Sequence, residues 1–399
     1  MKLRESLGYA CAMPSTLTCD VAIVGGGLAG GLIALALRRR RPDVDVRIIE
    51  GGSRIGGNHL WSFFASDVAP ADRWLTAPLI CHGWRSYDVV FPEVSRTLRQ
   101  GYYSIESRRL DQVVRADMPE HAVMTRRKVL AASPNAVVLA DGDRIEAKGV
   151  IDCRGPADLK ALKCGWQKFY GRELLLHEAH GLERPVIMDA MVEQLDGYRF
   201  VYALPFSATG VFVEDTYYSD TPDLDPATLG NRIGGYADAH GWQVDRIVRE
   251  EGGALPVVMG GDFESYWQAG GNKVAKAGGR AGLFHPLTSY ALPDAVRTAT
   301  LVSAASDLGG SALHRLLHDF AKSTWRRRRF YRMLAAMLFK AAEPQERYRI
   351  LQRFYALDPQ LIGRFYAGHS TLFDQIRLVS GKPPVPIGRA VSAIRESFK

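Results

Sequence analysis

Three glycines, Gly25, Gly27 and Gly30, and one acid, Glu50, have the residue types and spacing that dinucleotide binding requires. In a GxGxxG turn the first glycine permits a tight bend, the second lets a pyrophosphate approach the backbone, and the third lets a helix pack on the sheet. An acid about 20 residues later accepts hydrogen bonds from the ribose. The pattern predicts an adenine dinucleotide site, and the alternative is a glycine-rich turn that only packs.

The elements around these residues form one predicted βαβ unit. Val21–Val24 is a short apolar run typical of a buried parallel strand, residues 28–41 have a helical pattern, and Val46–Ile49 predicts a second strand that ends at Glu50. The N-terminus of the helix would present free N–H groups and partial positive charge to the phosphates.

A second glycine-rich stretch, GGSRIGG at residues 51–57, narrows the prediction to a flavin. It resembles the second glycine signature of FAD-binding oxidoreductases, so Arg54, Gly56 and Gly57 are candidate cofactor-binding residues. The alternative for this stretch is a flexible surface turn.

Further cofactor candidates occur at three later points in the chain. Arg109 lies in a predicted helix, residues 107–118, that begins at a candidate Ser cap; a salt-bridged surface arginine is the alternative. VIDCRGP is predicted to be a strand that meets the cofactor at Asp152 and Gly155, or else an ordinary strand-to-turn. The third stretch, AKAGGRAGLFHP, precedes a helix predicted near Leu292 and supplies Arg280, Gly282, His285 and Pro286, although His285 is equally typical of a turn or core histidine.

Glu214 is the candidate catalytic residue. It lies in VFVEDTYY, predicted to pair with the preceding strand at residues 198–206, and a period of two puts Phe212, Glu214 and Thr216 on one face. A carboxyl buried among aromatic side chains has a raised pKa and can act as an acid. The alternative is an acid that caps or forms a salt bridge at the sheet edge. The candidate substrate-lining residues are Tyr198, Phe200, Tyr202 and Phe212, any of which can instead be ordinary core.

The composition of the chain limits its possible fold and function classes. The chain has 399 residues, 47% of them apolar, which is enough for a sizeable core. The net charge is +8, and the basic excess lies between Arg315 and Arg353, without a nucleic-acid-binding motif, so we expect no nucleic-acid partner. Five cysteines without a CxxC pair indicate a reducing compartment and no zinc site. We expect neither a signal peptide nor a membrane-spanning segment.

Several motifs together resemble the bacterial lycopene β-cyclases, from residue 20 to the C-terminus. They are RIGGNHLWSF, MDxxxxQxxGYRFVY, FVEDT, RAGLFHP, RYRILQRFYALDPQLIGRFYAG and SGKPPVP. FVEDT is similar to an acidic motif of that family, and its first acid is Glu214. Two departures stand out: LTSY replaces the usual TTGY, so Ser289 stands in place of a glycine, and the third FAD signature lacks its usual Asp.

The resemblance implies a redox-neutral isomerase that closes the ends of lycopene to β-ionone rings, with γ-carotene as intermediate and β-carotene as product. Protonation of the terminal double bond, attack by the next double bond and loss of a proton leave the formula unchanged. The implied cofactor is FAD in its reduced form, with NAD(P)H only as reductant. Rival functions are a flavin monooxygenase or isoprenoid reductase, a flavoprotein sensor, and a membrane or nucleic-acid binding module.

A hydrocarbon substrate that resides in the bilayer implies a membrane surface as partner, and other carotenoid enzymes as further partners. WRRRRFYRMLAAMLFK, residues 325–340, predicts an interfacial helix, or a helix that packs on the FAD domain. We therefore expect a cytoplasmic protein, peripheral on the inner face of the cell membrane.

The predicted fold class is α/β: a Rossmann-type FAD domain like that of the hydroxylase flavoproteins, a β-rich substrate layer and a helical C-terminal region. The predicted segments are an extension at 1–19, a discontinuous FAD domain at 20–65, 100–160 and 275–312, a substrate domain at 66–99 and 161–274, and a helical region at 313–399.

Overall fold

The computed structural model describes residues 14–195, 197–271, 273–381 and residue 388. Within these ranges the strands are β1 Thr16–Val24, β2 Val46–Ile49, β3 Leu60–Phe64, β4 His82–Trp84, β5 Tyr87–Phe91, β6 Val94–Leu98, β7 Tyr102–Glu106, β8 Val123–Met124, β9 Val129–Ser133, β10 Ala136–Leu139, β11 Arg144–Asp152, β12 Leu162–Leu176, β13 Val186–Asp189, β14 Tyr198–Pro205, β15 Gly210–Ser219, β16 Val244–Gly261 and β17 Ala275–Lys276. The helices are α1 Leu28–Arg40, α2 Arg73–Thr76, α3 Ser107–Asp117, α4 Pro226–Ala239, α5 Phe263–Ala269, α6 Leu292–Ser303, α7 Gly310–Arg327, α8 Arg329–Lys340, α9 Tyr348–Tyr355, α10 Pro359–Tyr366 and α11 Leu372–Val379.

The first sheet carries the predicted βαβ unit. Its strand order is β8-β2-β1-β11-β10-β9, with β17 also paired to β11, and β1 is parallel to both β2 and β11. Residues 21–24 of β1 are fully buried, as an apolar strand covered on both faces should be. The α/β fold class is confirmed. Strand β1 begins at Thr16, inside the predicted extension, of which residues 1–13 lie outside the described ranges.

Close packing brings α1 onto this sheet. A side chain at Gly30 would place its Cβ 2.1 Å from the carbonyl oxygen of Gly25, so only glycine fits there. Gly31 faces Leu110 of α3, where an added Cβ would make a tight contact of 3.1 Å with the leucine side chain. The N-terminus of α1 is thereby held at the carboxyl end of β1, where an open α/β sheet binds its ligand.

The second sheet is the β-rich layer, with strand order β16-β12-β15-β14-β13-β5-β6. One face carries aromatic side chains that pack against the C-terminal helices, and the other packs against α4. A three-stranded sheet, β3-β7-β4, lies at the boundary with the first sheet. The predicted pairing of the strands around residues 198–218 is confirmed, because β14 and β15 are antiparallel with Tyr202 opposite Glu214.

The predicted interfacial helix, residues 325–340, is divided between α7 and α8, with the break at Arg328. The guanidinium of Arg328 is buried and donates to both carboxylate oxygens of Asp294, at 2.5 and 2.9 Å, and to the carbonyl of Phe284. Arg332 is also buried and lies over the ring of Trp325. Both guanidinium groups therefore make their contacts inside the protein.

The apolar side chains of the same segment face inward as well. Tyr331, Leu338 and Phe339 are buried in the aromatic core, and Phe330 and Leu334 pack against it. The apolar face that was predicted to contact a membrane is therefore covered by the protein itself. The alternative, a helix that packs on the FAD domain, holds only in part, because α8 packs on β16 of the second sheet as well as on α7. Association of the protein with a membrane stays a prediction. In the described part of the chain no helix is long and apolar enough to cross a bilayer.

We expect Arg328→Met to lower the free energy of unfolding by about 3–5 kcal/mol, because it leaves a buried carboxylate of Asp294 without its main partner. Arg326→Met, from the same run of arginines, is the matched control, since Arg326 is exposed and a surface change is worth within about 0.5 kcal/mol. Urea denaturation followed by circular dichroism measures both. Equal losses in the two variants would contradict the role given to Arg328.

Candidate active site

A groove of about 480 Å³ follows the carboxyl ends of β1, β2 and β11. It is lined by the glycine turn at Gly25 and Gly27, by Gly56 and Gly57, and by Gly155. Gly25 has a φ of +98°, which favours glycine. A Cβ added at Gly27 would meet no atom within 4 Å and would project into open space. This open cradle at a helix N-terminus is the shape that a pyrophosphate requires, so the residues fit a dinucleotide.

Glu50 organises the turns at one end of the groove. Its two carboxylate oxygens accept hydrogen bonds from the backbone N–H groups of Gly26 and Gly52, each at 2.7 Å. Gly56 in turn donates its N–H to the carbonyl of Gly26 at 2.7 Å. The two glycine signatures are therefore bound to each other, and Glu50 stands beside the groove where a ribose would lie.

Several predicted cofactor residues lie elsewhere. Arg54 is exposed and does not line the groove. Arg109 is exposed too, and its Nε donates to the carbonyl of Pro78. Asp152 and Arg280 pair with each other at 3.0 Å, and Asp152 also binds Arg154, so these two are structural partners beneath the groove.

The sequence reasoning missed two basic residues that line the groove, Arg127 and Lys128, which lie there with Arg154 of the VIDCRGP stretch. Arg127 and Lys128 follow β8, the parallel neighbour of β2, so the run RRK directly after that strand was the available signal. Basic side chains at this edge favour an anionic ligand.

The third glycine-rich stretch shapes a loop. Gly282 adopts a left-handed conformation, with φ +68°, at the end of a short turn. The ring nitrogen Nδ1 of buried His285 accepts hydrogen bonds from the N–H groups of Leu287 and Thr288, and burial lowers its pKa to about 3. His285 is therefore a neutral turn histidine, and Pro286 accepts a backbone bond from Val258. Neither lines the groove, but their loop places residues 288–292 in the wall of a second cavity.

The second cavity, of about 410 Å³, lies between the second sheet, the three-stranded sheet and the loop at residues 288–292, and is called here the reaction cavity. His59 lines both it and the groove, so the two spaces are adjacent. Tyr202 and Phe212 line it, as predicted, whereas Tyr198 and Phe200 do not, because their rings stack behind Tyr202 in the core. The other aromatic side chains of its wall are Trp61, Tyr102, Phe169 and Tyr290.

Glu214 projects into this cavity from β15, which lies between β12 and β14. Burial away from water raises the pKa of Glu214 from 4.5 to about 7, while a hydrogen bond from the Thr216 hydroxyl at 2.7 Å acts in the opposite direction. The next residue, Asp215, points to the opposite face and forms the buried ion pair of this strand with Arg199. The alternative of an edge salt bridge at Glu214 does not hold.

A family model described as lycopene cyclase protein matches residues 20–392 of the chain. Lycopene β-cyclases from Pseudescherichia vulneris and Pantoea ananas are 43% and 44% identical to it, over 95% of this chain and 98% and 99% of the relatives. The chain belongs to the lycopene cyclase family. A chloroplastic lycopene β-cyclase from Arabidopsis thaliana is 26% identical over 72% of this chain and 60% of that protein.

Solved structures with this fold include flavoenzymes. A geranylgeranyl bacteriochlorophyll reductase-like protein from Thermoplasma acidophilum superposes with a TM-score of 0.62 at 13% identity, over 96% of this chain and all of that one. A p-nitrophenol 4-monooxygenase from Pseudomonas putida gives 0.61 at 16% identity over 89% and 99%, and a probable FAD-dependent monooxygenase from Pseudomonas aeruginosa gives 0.56 at 17% over 85% and 100%. At these identities the likeness establishes the fold, which is that of FAD-dependent enzymes.

This lycopene cyclase family member keeps the loop conformation in which the family usually has a glycine. Ser289 has a φ of +57° and is held there by a hydrogen bond from its hydroxyl to the carbonyl of Pro256 at 2.9 Å. The left-handed conformation costs a non-glycine residue roughly 1–2 kcal/mol. The bond to Pro256 offsets part of this cost and keeps Ser289 in the wall of the reaction cavity.

Glu251 is a second carboxyl in the reaction cavity that the sequence reasoning missed. Burial, and then repulsion by Glu214, raises its pKa from 4.5 to about 8. The available signal was the strand VDRIVREEGG, in which two adjacent acids must point to opposite faces. Among the described residues, no group of three or more His, Cys, Asp or Glu side chains is arranged to hold a metal ion.

We expect the stability of the protein to fall as pH rises from 5 to 8, in part because of Glu214. The folded state binds a proton at Glu214 more tightly than the unfolded state, whose pKa is 4.5, so ionisation favours unfolding by at most a few kcal/mol above pH 7. Glu214→Gln removes this titration. Its melting temperature, relative to wild type, should therefore rise between pH 5 and 8 in calorimetry.

The matched control is Glu250→Gln, at an exposed carboxyl that pairs with Arg172. Its melting temperature is expected to follow wild type over the same range. A Glu214→Gln difference that is constant with pH would mean that Glu214 ionises as readily in the folded as in the unfolded chain.

Proposed function

We propose that this protein is a redox-neutral, FAD-dependent isomerase that closes the ends of lycopene to β-ionone rings, through γ-carotene to β-carotene. The observation that carries the proposal is Glu214, a carboxyl that holds its proton near neutrality within an aromatic cavity next to a dinucleotide groove. The relatives named lycopene β-cyclase, at 41–44% identity over 95% of the chain, support the choice of substrate.

Glu214 supplies the proton that starts the reaction. Protonation of the terminal double bond creates a tertiary cation, which the next double bond attacks, and loss of a proton leaves the ring alkene. An alkene is a weak base, so the donor must be a neutral acid close to the carbon and away from water. Burial keeps Glu214 in that form, and the Thr216 hydroxyl fixes its orientation.

The walls of the reaction cavity hold the cation and exclude water. The faces of Tyr202, Phe212, Trp61 and Tyr102 can stabilise a carbocation by cation–π attraction, at about 2 kcal/mol for each desolvated contact. The same rings keep out water, which would trap the cation as an alcohol. A cavity of about 410 Å³ is within the range of small-ligand sites, and one end of the polyene would enter it.

The groove would hold FAD through Gly25, Gly27, Gly30, Glu50, Gly56, Gly57 and Gly155. When bound in its reduced form, the cofactor supplies negative charge that stabilises a cation without net electron transfer, and NAD(P)H serves only to maintain that form. His59, whose pKa is lowered by burial, presents a neutral ring where the groove meets the reaction cavity.

Conversion of lycopene by the purified protein, loaded with FAD and supplied with NAD(P)H, is measured with and without O₂ to test the proposal. An isomerase forms β-carotene under both conditions without stoichiometric consumption of NAD(P)H. A monooxygenase consumes O₂ and one equivalent of NAD(P)H for each turnover and is inactive without O₂, whereas an isoprenoid reductase consumes one equivalent of NAD(P)H for each double bond that it reduces. Stoichiometric consumption, or unchanged lycopene with the loaded wild-type protein, would overturn the proposed function.

We expect Glu214→Gln to bind FAD normally and to lose about 10²–10⁴-fold in the rate of β-carotene formation, because the amide cannot protonate an alkene. Glu214→Asp keeps an acid and should retain part of the activity. In wild type the rate should fall as pH rises through about 7, where Glu214 loses its proton. Flavin absorbance measures cofactor content, and chromatography of the pigments measures the rate. A Gln variant with near-normal turnover would remove Glu214 from the acid role.

We further propose that α11 attaches the protein to the inner face of an anionic membrane, where its substrate resides. Leu372, Phe373, Ile376 and Val379 are 73%, 75%, 56% and 48% exposed and lie on one side of this helix. Exposed Arg377 stands among them, while the acid of the helix, Asp374, is buried against Arg364. Apolar side chains beside a cation, with the acid turned inward, complement anionic lipid.

The position of α11 suits substrate delivery. Its remaining apolar side chain, Leu378, packs on the aromatic core that includes Tyr202 and Phe212. The preceding helix, α10, places Tyr366 5.6 Å from Tyr290, ring to ring, and Tyr290 lines the reaction cavity. If α11 is bound to a membrane, the wall of the reaction cavity that contains Tyr290 therefore lies near the bilayer.

We expect the double variant Leu372→Gln and Phe373→Gln to lose at least 10-fold in affinity for phosphatidylglycerol vesicles, because each buried side chain contributes about 1.5–3 kcal/mol. Leu130→Gln, at an apolar residue of β9 that is 61% exposed, is the matched control. Vesicle sedimentation measures both variants. Unchanged binding of the double variant would contradict the assignment of α11.

A further inference from the structure

We propose that Glu251 is the second catalytic carboxyl of the cyclisation: it accepts the proton that the ring cation loses, while Glu214 supplies the proton that the polyene gains. This proposal rests on the proposed function, to which it adds the residue that acts as the base.

The register of the second sheet brings the two carboxyls to one side. Gly171 of the central strand β12 is paired with Glu214 on β15 and with Glu251 on β16. Directly opposed residues of antiparallel strands share a face, so Glu214, Gly171 and Glu251 form a row across the sheet. Two strand spacings, roughly 10 Å, separate the outer backbones. Both carboxyl-bearing side chains line the reaction cavity.

Gly171 leaves room between them. The ring of Phe212 lies over this glycine, where an added Cβ would come within 2.3 Å of the ring. The far end of the Phe212 ring, at its Cζ atom, therefore lies between the strands that carry the two acids, where an aliphatic side chain would otherwise stand, so a cation between the acids would contact this aromatic ring.

The carboxyl of Glu251 is directed at the cavity, and although the backbone N–H of Leu60 bonds to it, one of its two oxygens has no partner in the described part of the chain. The side chain is 6% exposed, and its Oε2 has no hydrogen-bond partner among the described residues. The nearest cation, the Nη1 of Arg249, is 3.9 Å from Oε2, too far for a hydrogen bond, and Arg249 donates instead to Glu173 at 3.3 Å. A buried carboxyl oxygen without a hydrogen-bond partner destabilises the folded protein. Such an oxygen is therefore expected to bind a ligand or to take part in proton transfer.

The charged and titratable groups around Glu251 suit its proposed role as a base. Glu214 faces it from β15, Arg249 adjoins it on β16, Glu173 lies beyond Arg249 on β12, and His59 lines the opposite wall. Burial raises the pKa of both acids, and repulsion by Glu214 raises that of Glu251 further, so the two carboxyls titrate as one coupled pair whose single proton is fixed to neither of them, while Arg249 lowers the pKa of Glu251. One carboxyl can then donate while the other accepts.

Each ring closure takes up one proton and releases one proton. The O–H bond of Glu214 breaks as a C–H bond forms on the polyene, a C–C bond closes the ring, and a ring C–H bond breaks as an O–H bond forms on Glu251. Glu214 is then ionised and Glu251 protonated. Transfer of the proton from Glu251 to Glu214, across the cavity after the product has left, restores the starting state without any oxidant or reductant.

The test compares wild type, Glu251→Gln, Glu251→Asp and Glu250→Gln, each loaded with reduced FAD and supplied with lycopene. Glu250 is the adjacent residue, points to the opposite face and pairs with Arg172, so it is the matched control. We expect Glu251→Gln to bind FAD, to form β-carotene about 10²-fold more slowly and to divert the cation into isomeric ring alkenes or ring alcohols. Glu251→Asp should restore the β-ring as the main product, and Glu250→Gln should match wild type.

The mixture of products distinguishes a residue that acts as the base from a residue that only changes the pKa of Glu214. A slower Glu251→Gln variant whose product is still β-carotene alone would overturn the proposal, as would a variant whose rate equals that of the Glu250→Gln control. If Glu251→Gln does not fold, Glu251→Ala decides, because it removes the base and leaves a smaller side chain. β-Carotene as the sole product of Glu251→Ala, formed at the rate of the Glu250→Gln control, would also overturn the proposal. Failure of wild type to convert lycopene is a different result, since it overturns the proposed function itself.

Discussion

The removal of carboxyl groups from water is the interaction on which this site depends. Glu214 and Asp215 are neighbours on β15, yet the alternation of the strand sends them into opposite environments. Asp215 meets Arg199 and is neutralised as an ion pair, whereas Glu214 meets aromatic rings, a hydroxyl and a second acid. The same residue chemistry thus gives an ion pair on one face of the sheet and, on the other, a carboxyl with a raised pKa, the property that the proposed proton donor requires.

The rest of the fold can be understood as the support for that environment. The first sheet and α1 form a cradle for phosphates, with the close contact of Gly30 and Gly25 fixing the helix to the strand. The second sheet holds the acids, and the helices from α8 onward cover its aromatic face. The loop at residues 288–292 joins the two regions, and its unusual Ser289 is tied to Pro256 of β16, the strand that also carries Glu251.

Local patterns predicted the parts of the structure that depend on local geometry. The glycine turn, the strand ends around Glu50 and the face of Glu214 all follow from spacings within a few residues. Glu251 could not be found in this way, because its place beside Glu214 depends on two strand registers that meet at Gly171. Arg328 was misassigned for a similar reason: its partner, Asp294, is 34 residues away, and only the packing of α6 against α7 and α8 brings them together. Arg109, Asp152 and Arg280 had the right types for a cofactor site, but side-chain direction decided their contacts.

Gly171 has a consequence for how such a protein can change. Because a single methyl group at this position would collide with the Phe212 ring, the absence of a side chain at Gly171 decides where that ring lies in the wall of the cavity. A substitution there would therefore move the ring as well as strain the sheet. In the proposed cyclisation, the choice of product would then depend on a residue that bears no functional group at all.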